Sequence, residues 1–237
     1  CRVDRSHISA SDRSGYIGTA EIAELEDSDR IILIGTNPKF ESPVFNSRIR
    51  KAWLNGAKVS LIGEKLELNY NYTYLGANRA ALGALLAEKN SNLDSKTFIV
   101  LGQGALVEKD GDLVLQAVKK LVDRFSCKLL ILHVAASRVG AMEVGFTHEY
   151  GFDSSINGAE VIYNLGMDEF DLPDDCFVIY QGHHGDKGAN LADLILPSPS
   201  FNEQNGLYMN TEGRVQESIR ATFPIGEAKE DWQIISL

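Results

Sequence analysis

Short apolar runs recur along the chain, and several of them end in glycine. The clearest are Arg30–Gly35, Lys58–Gly63 and Thr97–Gly102. Uninterrupted apolar runs of this length are typical of strands that lie buried on both faces of a parallel sheet. A terminal glycine lets the chain turn sharply out of the strand, because glycine tolerates left-handed backbone conformations. The pattern therefore predicts buried strands that each end in a tight turn.

Further apolar runs continue this rhythm through the second half of the chain. They cover Leu129–His133, Glu160–Gly166, Cys176–Tyr180 and Ala192–Leu196. Each run has the length of an ordinary strand, and turn-forming or polar residues lie beside it. We predict a strand at each of these positions.

Segments with helical periodicity separate the predicted strands. They cover Val44–Leu54, Arg79–Glu88 and Leu113–Phe125. In the last segment one apolar face is formed by Leu113, Ala117, Val118, Leu121, Val122 and Phe125. Strands that alternate with helices in this way predict an α/β fold with a doubly wound, mostly parallel sheet and right-handed crossovers.

Composition and charge narrow the classes of function. The chain has 237 residues, of which 44% are hydrophobic and 24% charged, as in an ordinary globular protein. Its formal net charge of -10 argues against a nucleic-acid partner, because phosphate backbones bind basic surfaces. Apolar runs such as Leu129–Leu132 are far shorter than the roughly 20 residues that span a bilayer. We therefore expect neither nucleic-acid binding nor direct membrane insertion.

The first residues differ from the rest of the chain. The chain begins at Cys1, and the stretch that follows is polar, basic and aperiodic. We expect residues 1–28 to be an N-terminal arm or linker of a processed chain or of a piece of a longer one. Residues 29–237 are predicted to form one continuous domain. Its weakest point is Gly151–Gly158, which is rich in glycine and aspartate.

No residue pattern for catalysis or metal binding stands out. Cys1, Cys127 and Cys176 are too few and too widely spaced for a disulfide framework or a cluster of cysteine ligands, so they are predicted to be free thiols. The sequence contains no Gly-x-Ser-x-Gly, no His-Glu-x-x-His and no Walker motif. We predict no catalytic residue and no metal site in this chain.

Two glycine turns follow strands where an α/β fold places ligands. Gly35, Thr36, Asn37 and Pro38 follow the first strand, and Thr36 and Asn37 can offer hydrogen bonds to a phosphate or a sugar. The same residues also suit a plain turn before a helix that starts near Pro43, because Pro38 keeps Asn37 out of the helical conformation. Gly102–Ala105 lacks the third glycine of a dinucleotide fingerprint and has no helix start in register, so it is a weak phosphate loop.

A histidine-containing turn follows the predicted strand Cys176–Tyr180. It is formed by Gly182, His183, His184, Gly185 and Asp186. Adjacent histidines on an extended chain point to opposite sides, so they do not readily bind one metal together. We expect a structured turn whose imidazoles make local hydrogen bonds or contact a partner.

A polar loop after the last predicted strand carries Asn210, Glu212, Gly213 and Arg214. Together with the preceding Ala192–Pro197, this loop resembles the end of the cofactor domain in molybdopterin oxidoreductases. The resemblance implies that Gly-Thr-Asn-Pro after a strand forms part of a guanine dinucleotide cofactor site, and that the Asn-x-Glu-Gly-Arg loop closes beside it. In this chain Gly35, Thr36, Asn37 and Pro38 and the loop residues would be vestigial positions of that site.

Longer blocks resemble the largest iron–sulfur subunit of respiratory complex I. They are Gly35–Gly63, Tyr74–Gly76, Asp171–Pro197 and Glu230–Leu237, and the block from Tyr180 to Asp186 is the most specific. The resemblance implies a molybdopterin oxidoreductase fold without the molybdenum cofactor. It also implies that the iron–sulfur clusters belong to a missing N-terminal part or to a partner chain.

The same resemblance implies a role and a place for the chain. The chain would be a structural, non-catalytic domain that contacts other subunits of the peripheral arm of complex I. That arm lies on the matrix side of the mitochondrial inner membrane, or on the cytoplasmic side of a bacterial membrane. Two alternatives stay open, an active molybdenum or tungsten oxidoreductase related to formate dehydrogenase, and a nucleotide-binding regulatory module.

The polar loop also allows a physical prediction. If no cofactor occupies the site, its polar groups must pair with one another, because a buried unpaired group costs about 1–3 kcal/mol. We therefore predict an ion pair between Arg214 and Glu212, or hydrogen bonds from Arg214 to the loop backbone.

Overall fold

The chain folds into two compact units, which a computed structural model describes at residues 6, 8–87, 92–146, 156, 158–168, 171–173 and 175–237. The first unit contains the described residues before 147 together with Met209–Arg214. The second contains the described residues from 156 to Tyr208 together with Val215–Leu237. The predicted weak point Gly151–Gly158 lies mostly outside the described residues. The predicted division at residue 28 stays a prediction.

Five strands and six helices of the first unit are described. They are β1 Arg30–Ile34, α1 Pro38–Glu41, α2 Pro43–Leu54, β2 Lys58–Ile62, β3 Thr73–Gly76, α3 Arg79–Ala87, β4 Thr97–Gly102, α4 Gln103–Leu106, α5 Gly111–Phe125, β5 Lys128–Leu132 and α6 Arg138–Glu143. Proline occupies the first position of both α1 and α2, where its missing N–H has no helical partner to lose. No helix in the described ranges is long and apolar enough to cross a membrane.

The strands of the first unit form one parallel sheet in the order β3-β2-β1-β4-β5. Ile32 in the central strand β1 lies opposite Ser60 of β2 and Ile99 of β4. The chain leaves β1 toward one edge of the sheet and later returns to the other side of β1 as β4. The predicted doubly wound parallel sheet is therefore confirmed, and its switch point lies between β1 and β4.

Apolar side chains cover both faces of this sheet. On one face Ile32, Ile99 and Leu129 pack against α3 and α5. On the other face Leu33, Phe98 and Leu130 pack against α2. Successive residues of a strand point to opposite faces, so an uninterrupted apolar run supplies both layers of the core.

Helix α5 corrects one detail of the sequence prediction. Its buried side chains are Val114, Leu115, Val118, Leu121 and Val122. Leu113 is 59% exposed, so its assignment to the apolar face is wrong. The physical reason is helix geometry, because Leu113 lies about 140° around the helix from the fully buried Val118.

Described residues before β1 pack along strand β5. They include two 3-10 turns, Arg13–Gly15 and Ile22–Asp27. The backbone N–H groups of Thr19 and Ala20 both donate to the carbonyl oxygen of Leu129, at 2.8 and 3.0 Å. This stretch is thus held to the edge of the sheet by backbone hydrogen bonds.

The described elements of the second unit are β6 Val161–Leu165, β7 Phe177–Gly182, α7 Lys187–Asn190, β8 Leu194–Pro197, β9 Gly206–Met209, β10 Val215–Ser218 and α8 Asp231–Ile235. The last residue of β9, Met209, is assigned to the first unit. A parallel sheet has the order β6-β7-β8, and β9 pairs with β10. The predicted strands are confirmed, and β6 and β8 leave most of their side chains exposed or half-buried. Buried apolar side chains of the described part are here limited to Val178, Tyr180 and Ala189.

Candidate functional site

The switch point between β1 and β4 opens into a cavity of about 600 Å³ in the first unit. Open α/β sheets bind ligands at this place, beyond the carboxyl ends of the strands. The cavity is lined by Ile34, Gly35, Thr36, Asn37, Glu41, Leu61, Ile62, Gly63, Glu64, Leu66, Ala77, Asn78, Arg79, Leu82, Gly104, Ala105, Glu108 and Val114. Three of the four residues of the predicted Gly35–Pro38 turn therefore line it.

The polar donors of this turn are already engaged by a carboxylate of the same chain. Thr36 is only 5% exposed, and its hydroxyl donates to Glu41. The backbone N–H of Asn37 donates to the other carboxylate oxygen of Glu41 at 2.9 Å. Pro38 opens helix α1, and Glu41 closes it one turn later. Glu41 thus occupies the hydrogen-bond donors that an incoming anion would need.

The two glycine turns pack directly against each other. A Cβ atom on Gly35, whose φ is +55°, would lie 2.4 Å from the Cβ of Ala105. A Cβ atom on Gly102 would lie 2.3 Å from the Cβ of Thr36. Helix α4 begins at Gln103, inside the segment Gly102–Ala105, so the expectation that no helix starts there in register is wrong. Close backbone packing accounts for these glycines without a bound phosphate.

The ionisable side chains of the cavity are mostly acidic. Glu41, Glu64 and Glu108 line it together with one cation, Arg79. Arg79 already forms an ion pair with Asp110. A guanine dinucleotide carries a negatively charged diphosphate, which needs cations and free N–H donors. The residues present at the switch point therefore do not fit the cofactor of the molybdenum enzymes.

The loop at Asn210–Arg214 forms the predicted internal network. The Nε and Nη2 atoms of Arg214 each lie 3.0 Å from the Oε1 atom of Glu212. The side-chain amide of Asn210 donates to the same oxygen at 3.1 Å. The backbone N–H of Arg214 donates to the side-chain oxygen of Asn210 at 2.8 Å. The predicted Arg214–Glu212 pair is confirmed.

Glu212 also ties this loop to the stretch before β1. Its Oε2 atom accepts a hydrogen bond from the backbone N–H of Ile22 at 2.6 Å. A Cβ atom on Gly213, whose φ is +80°, would lie 2.8 Å from the Ile17 side chain. The Glu212 side chain is 7% exposed, whereas that of Arg214 is 61% exposed. The buried carboxylate, rather than the arginine, is therefore the anchor of the loop.

The environment of Glu212 shifts its ionisation. Burial favours the neutral acid, but the hydrogen bond from Ile22, helped by Asn210 and Arg214, outweighs burial and lowers the pKa of the Glu212 carboxyl. The charged form therefore holds the loop at neutral pH. Within the described residues the two predicted groups stay separate, since no loop residue lines the cavity that contains Gly35, Thr36 and Asn37.

The histidine turn is a compact structural element of the second unit. The Tyr180 ring lies beneath it, and its hydroxyl donates to the His184 carbonyl at 3.2 Å. Neither Gly182 nor Gly188 has room for a Cβ, because the Tyr180 ring would lie 2.6 and 2.7 Å away. Asp186 directly precedes helix α7. A Cβ atom on Gly185 would meet no other atom within 4 Å. Packing against Tyr180 thus requires glycine at Gly182 and at Gly188, but not at Gly185.

His183 and His184 are exposed on this turn and contact each other. Their ring centroids are 4.6 Å apart with the rings edge to face, and their Nδ1 atoms form a hydrogen bond. Across the described ranges, no group of three or more His, Cys, Asp or Glu side chains is placed to hold a metal ion. The imidazoles therefore make a local contact, as one of the two expectations stated.

The sequence analysis did not identify two residues that have structural roles, Gln181 and Glu41. Gln181 is fully buried, and its side-chain amide donates to the Asp231 carboxylate at 2.7 Å, while its oxygen accepts from Tyr163. Glu41 is the other, and its spacing four residues after Asn37 was the available signal, because such residues meet across one helical turn. For Gln181, the sequence contains no local pattern that indicates its distant partner Asp231.

The cysteines within the described ranges are free thiols, as predicted for Cys127 and Cys176. Burial, with a smaller contribution from the charge of Asp94, raises the pKa of the Cys127 thiol to about 11. The Cys176 thiol donates to the carbonyl of Pro173 at 3.1 Å. Cys1 lies outside the described residues. A thiol with a raised pKa is a poor nucleophile, so Cys127 belongs to the core.

Comparison with known proteins identifies relatives over nearly the whole chain. The family model for molybdopterin oxidoreductases matches residues 2–237. The mitochondrial 78 kDa subunit of NADH-ubiquinone oxidoreductase from Candida albicans is 43% identical over 94% of this chain and 32% of the relative. The corresponding subunit of Neurospora crassa is 39% identical over 94% of this chain and 32% of the relative.

A third relative and a solved structure extend this result. The 75 kDa subunit from Reclinomonas americana is 37% identical over 94% of this chain and 35% of the relative. The formyltransferase/hydrolase complex of Methylorubrum extorquens, solved with methylofuran, contains a chain with a TM-score of 0.63. Its identity is 14%, over 94% of this chain and 78% of that one, so it supports the fold alone. The chain spans about a third of the length of the curated relatives it matches.

Proposed function

Because the chain belongs to the molybdopterin oxidoreductase family, we propose that it is a structural, non-catalytic domain of complex I, NADH:ubiquinone oxidoreductase. The proposal is supported by the three relatives at 37, 39 and 43% identity, each named as a subunit of that enzyme. In this proposal electrons travel through iron–sulfur clusters that are held by polypeptide outside these 237 residues. The chain contributes architecture to the peripheral arm.

The observation that carries the non-catalytic part of the proposal is the position of Glu41. Its carboxylate takes the donors of Thr36 and Asn37 at the switch point. The cavity also presents Glu64 and Glu108 to any ligand that enters. An anionic cofactor would have to displace one carboxylate and bear repulsion from two more. A vestigial site that the chain fills with its own side chain is consistent with a structural role.

The same relatives support a proposal on partners and location. We propose contacts with other peripheral-arm subunits, and a location on the matrix side of the mitochondrial inner membrane. The support for a mitochondrial location is that the relatives from Candida albicans and Neurospora crassa are named mitochondrial.

Metal analysis of the native assembly tests the proposal. The assembly is purified through an affinity tag on this chain, and iron, molybdenum and tungsten are measured per copy, together with oxidation of NADH. We expect abundant iron, NADH oxidation, and neither molybdenum nor tungsten in stoichiometric amount. Stoichiometric molybdenum or tungsten would instead support the active oxidoreductase. A nucleotide released from the denatured chain in stoichiometric amount would support the regulatory module.

A further inference from the structure

The carboxylate of Glu41 contacts the turn after β1 through both of its oxygens. Its Oε2 atom accepts a hydrogen bond from the hydroxyl of Thr36, and its Oε1 atom accepts one from the backbone N–H of Asn37 at 2.9 Å. Phosphate oxygens bind to hydroxyl and backbone N–H donors in the same way, because charged acceptors make the stronger hydrogen bonds. Glu41 therefore lies where an anionic ligand of this turn would lie.

The backbone around Glu41 holds this side chain in place. The backbone N–H of Glu41 donates to the carbonyl of Asn37 at 2.9 Å, and that of Ser42 donates to the carbonyl of Pro38 at 3.1 Å. Helix α2 begins at Pro43, directly after this turn. Because the carboxylate is attached to a fixed segment of the same chain, it competes with any free anion at a high effective concentration.

Contacts that do not involve Glu41 fix the shape of the turn itself. The backbone N–H of Gly35 donates to the carbonyl of Ile62 at 3.0 Å. Gly104 packs so closely that a Cβ atom on it would lie 2.8 Å from the carbonyl oxygen of Gly35. The side chain of Thr36 is buried. The two donors are therefore pre-organised, and loss of the Glu41 carboxylate would leave them in place.

We propose that Glu41 is an autoinhibitory side chain that closes the cavity to diphosphates, and that its removal uncovers an anion site formed by Thr36 and Asn37. This inference rests on the proposed function, in which the chain works without a cofactor. The cavity of about 600 Å³ has room for such a ligand. Arg79 lines it and supplies a positive charge.

Charge repulsion alone is the competing explanation for the exclusion of an anion. Glu64 and Glu108 also line the cavity, and both are exposed. Water and salt screen exposed charges, so each of these carboxylates has a small effect on a ligand. The two explanations differ in their consequences. Repulsion predicts similar gains in anion binding when any one of the three glutamates is removed, whereas occupation of the donors predicts a large gain for Glu41 alone.

Calorimetric titration of the full chain with inorganic diphosphate separates these explanations. The wild type is compared with Glu41→Ala and Glu64→Ala, which each remove one negative charge from the cavity. We expect Glu41→Ala to bind diphosphate about tenfold or more tightly than the wild type, because it frees two hydrogen-bond donors. Glu64→Ala should change the affinity less than about threefold. Equal gains for the two variants, or no gain for Glu41→Ala, would overturn the inference.

A second substitution locates the uncovered site. Thr36→Val, introduced into Glu41→Ala, removes the hydroxyl donor and nearly preserves the shape of the buried side chain. We expect the double variant to lose most of the affinity that Glu41→Ala gains, because one of the two donors is gone. If it binds diphosphate as tightly as Glu41→Ala, the anion binds elsewhere on the chain and the inference is wrong.

The wild type provides a measurement that needs no substitution. The amide proton of Asn37 should exchange slowly with solvent, because it donates to Glu41, and an excess of diphosphate should leave its NMR signal unshifted. Fast exchange, or a shift on addition of diphosphate, would overturn the inference even if Glu41→Ala does not fold. Neither result touches the proposed function, which fails instead if the native assembly contains stoichiometric molybdenum or tungsten.

Discussion

The two sheets are built from similar strand sequences but lie in different surroundings. In the first unit, β1 and β4 are covered on both faces by α2, α3 and α5. In the second, β6 and β8 expose most of their apolar side chains. An apolar strand run thus predicts a strand, but it does not show whether other elements of the described chain cover both faces of that strand.

The difference should appear first as unequal stability of the two units. The chain has two tryptophans, Trp53 in α2 of the first unit and Trp232 in α8 of the second. Each of the single-tryptophan variants Trp232→Phe and Trp53→Phe then reports on one unit by fluorescence. We expect the Trp232 signal to change at a urea concentration lower by about 1 M or more, because its unit buries little apolar surface. Coincident transitions would instead indicate one cooperative unit.

A core substitution sharpens the same contrast. Phe98 of β4 is fully buried and packs against Phe45. Phe98→Ala should lower the free energy of unfolding of the first unit by about 3–5 kcal/mol, through lost burial and the cavity that remains. Leu194→Ala in β8, where the side chain is 44% exposed, is the matched control and should cost less than about 0.5 kcal/mol in the isolated chain. Similar losses in urea unfolding would contradict the contrast between the sheets.

The second unit is tightly packed at Gly188, and a pair of glycine substitutions tests this packing. A Cβ on Gly188 would lie 2.5 Å from the Met167 carbonyl oxygen and 2.7 Å from the Tyr180 ring. Gly188→Ala should destabilise this unit by about 1–3 kcal/mol through overpacking. Gly185→Ala, in the same turn, meets no atom within 4 Å and should change little. The Trp232 fluorescence transition measures both, and equal midpoints would refute a structural role for Gly188.

Much of the fold could be predicted from the sequence, because strand runs and helical periodicity are local patterns. The boundaries of β1, β2 and β4 agree with the predicted runs within a residue. Strand β3 was not predicted, because Thr73–Gly76 is short, polar on both sides and placed at the sheet edge. The exposure of β6 and β8 was missed for another reason. The exposure of a strand depends on which other elements pack against it, and the sequence of the strand does not specify those elements.

The candidate site was predictable in parts. The Arg214–Glu212 pair followed from the cost of leaving polar groups unpaired, and it is present. The contact of Glu212 with Ile22 joins residues 190 positions apart, and no local pattern reports a partner at that distance. Placement of the Gly35 turn at the cavity followed from strand topology. The hydrogen bonds of Glu41 to this turn could be recognised only from the side-chain positions in the structure.

The Glu212 anchor gives a smaller effect within the first unit. Glu212→Ala removes the acceptor of the Ile22 and Asn210 hydrogen bonds and should cost about 1–3 kcal/mol. Arg214→Ala removes only an exposed partner and should cost about 0–1 kcal/mol. Urea unfolding of both variants measures the difference. A larger loss for Arg214→Ala would show that the arginine, and not the carboxylate, holds the loop.

The charge of Glu212 gives the smallest expected effect, and its sign follows from its lowered pKa. A carboxyl whose pKa is lower in the folded chain than its ordinary value of 4.5 stabilises the fold above that value. The stabilisation is lost as the pH falls through the lowered folded pKa. Glu212→Gln keeps an oxygen acceptor for the Ile22 N–H but removes the charge, so it isolates this contribution. We expect the stability difference between wild type and Glu212→Gln to be constant from pH 7 to about 5 and to shrink below about 4.5. A difference that grows on acidification would mean that burial, which raises the pKa, outweighs the hydrogen bonds around Glu212.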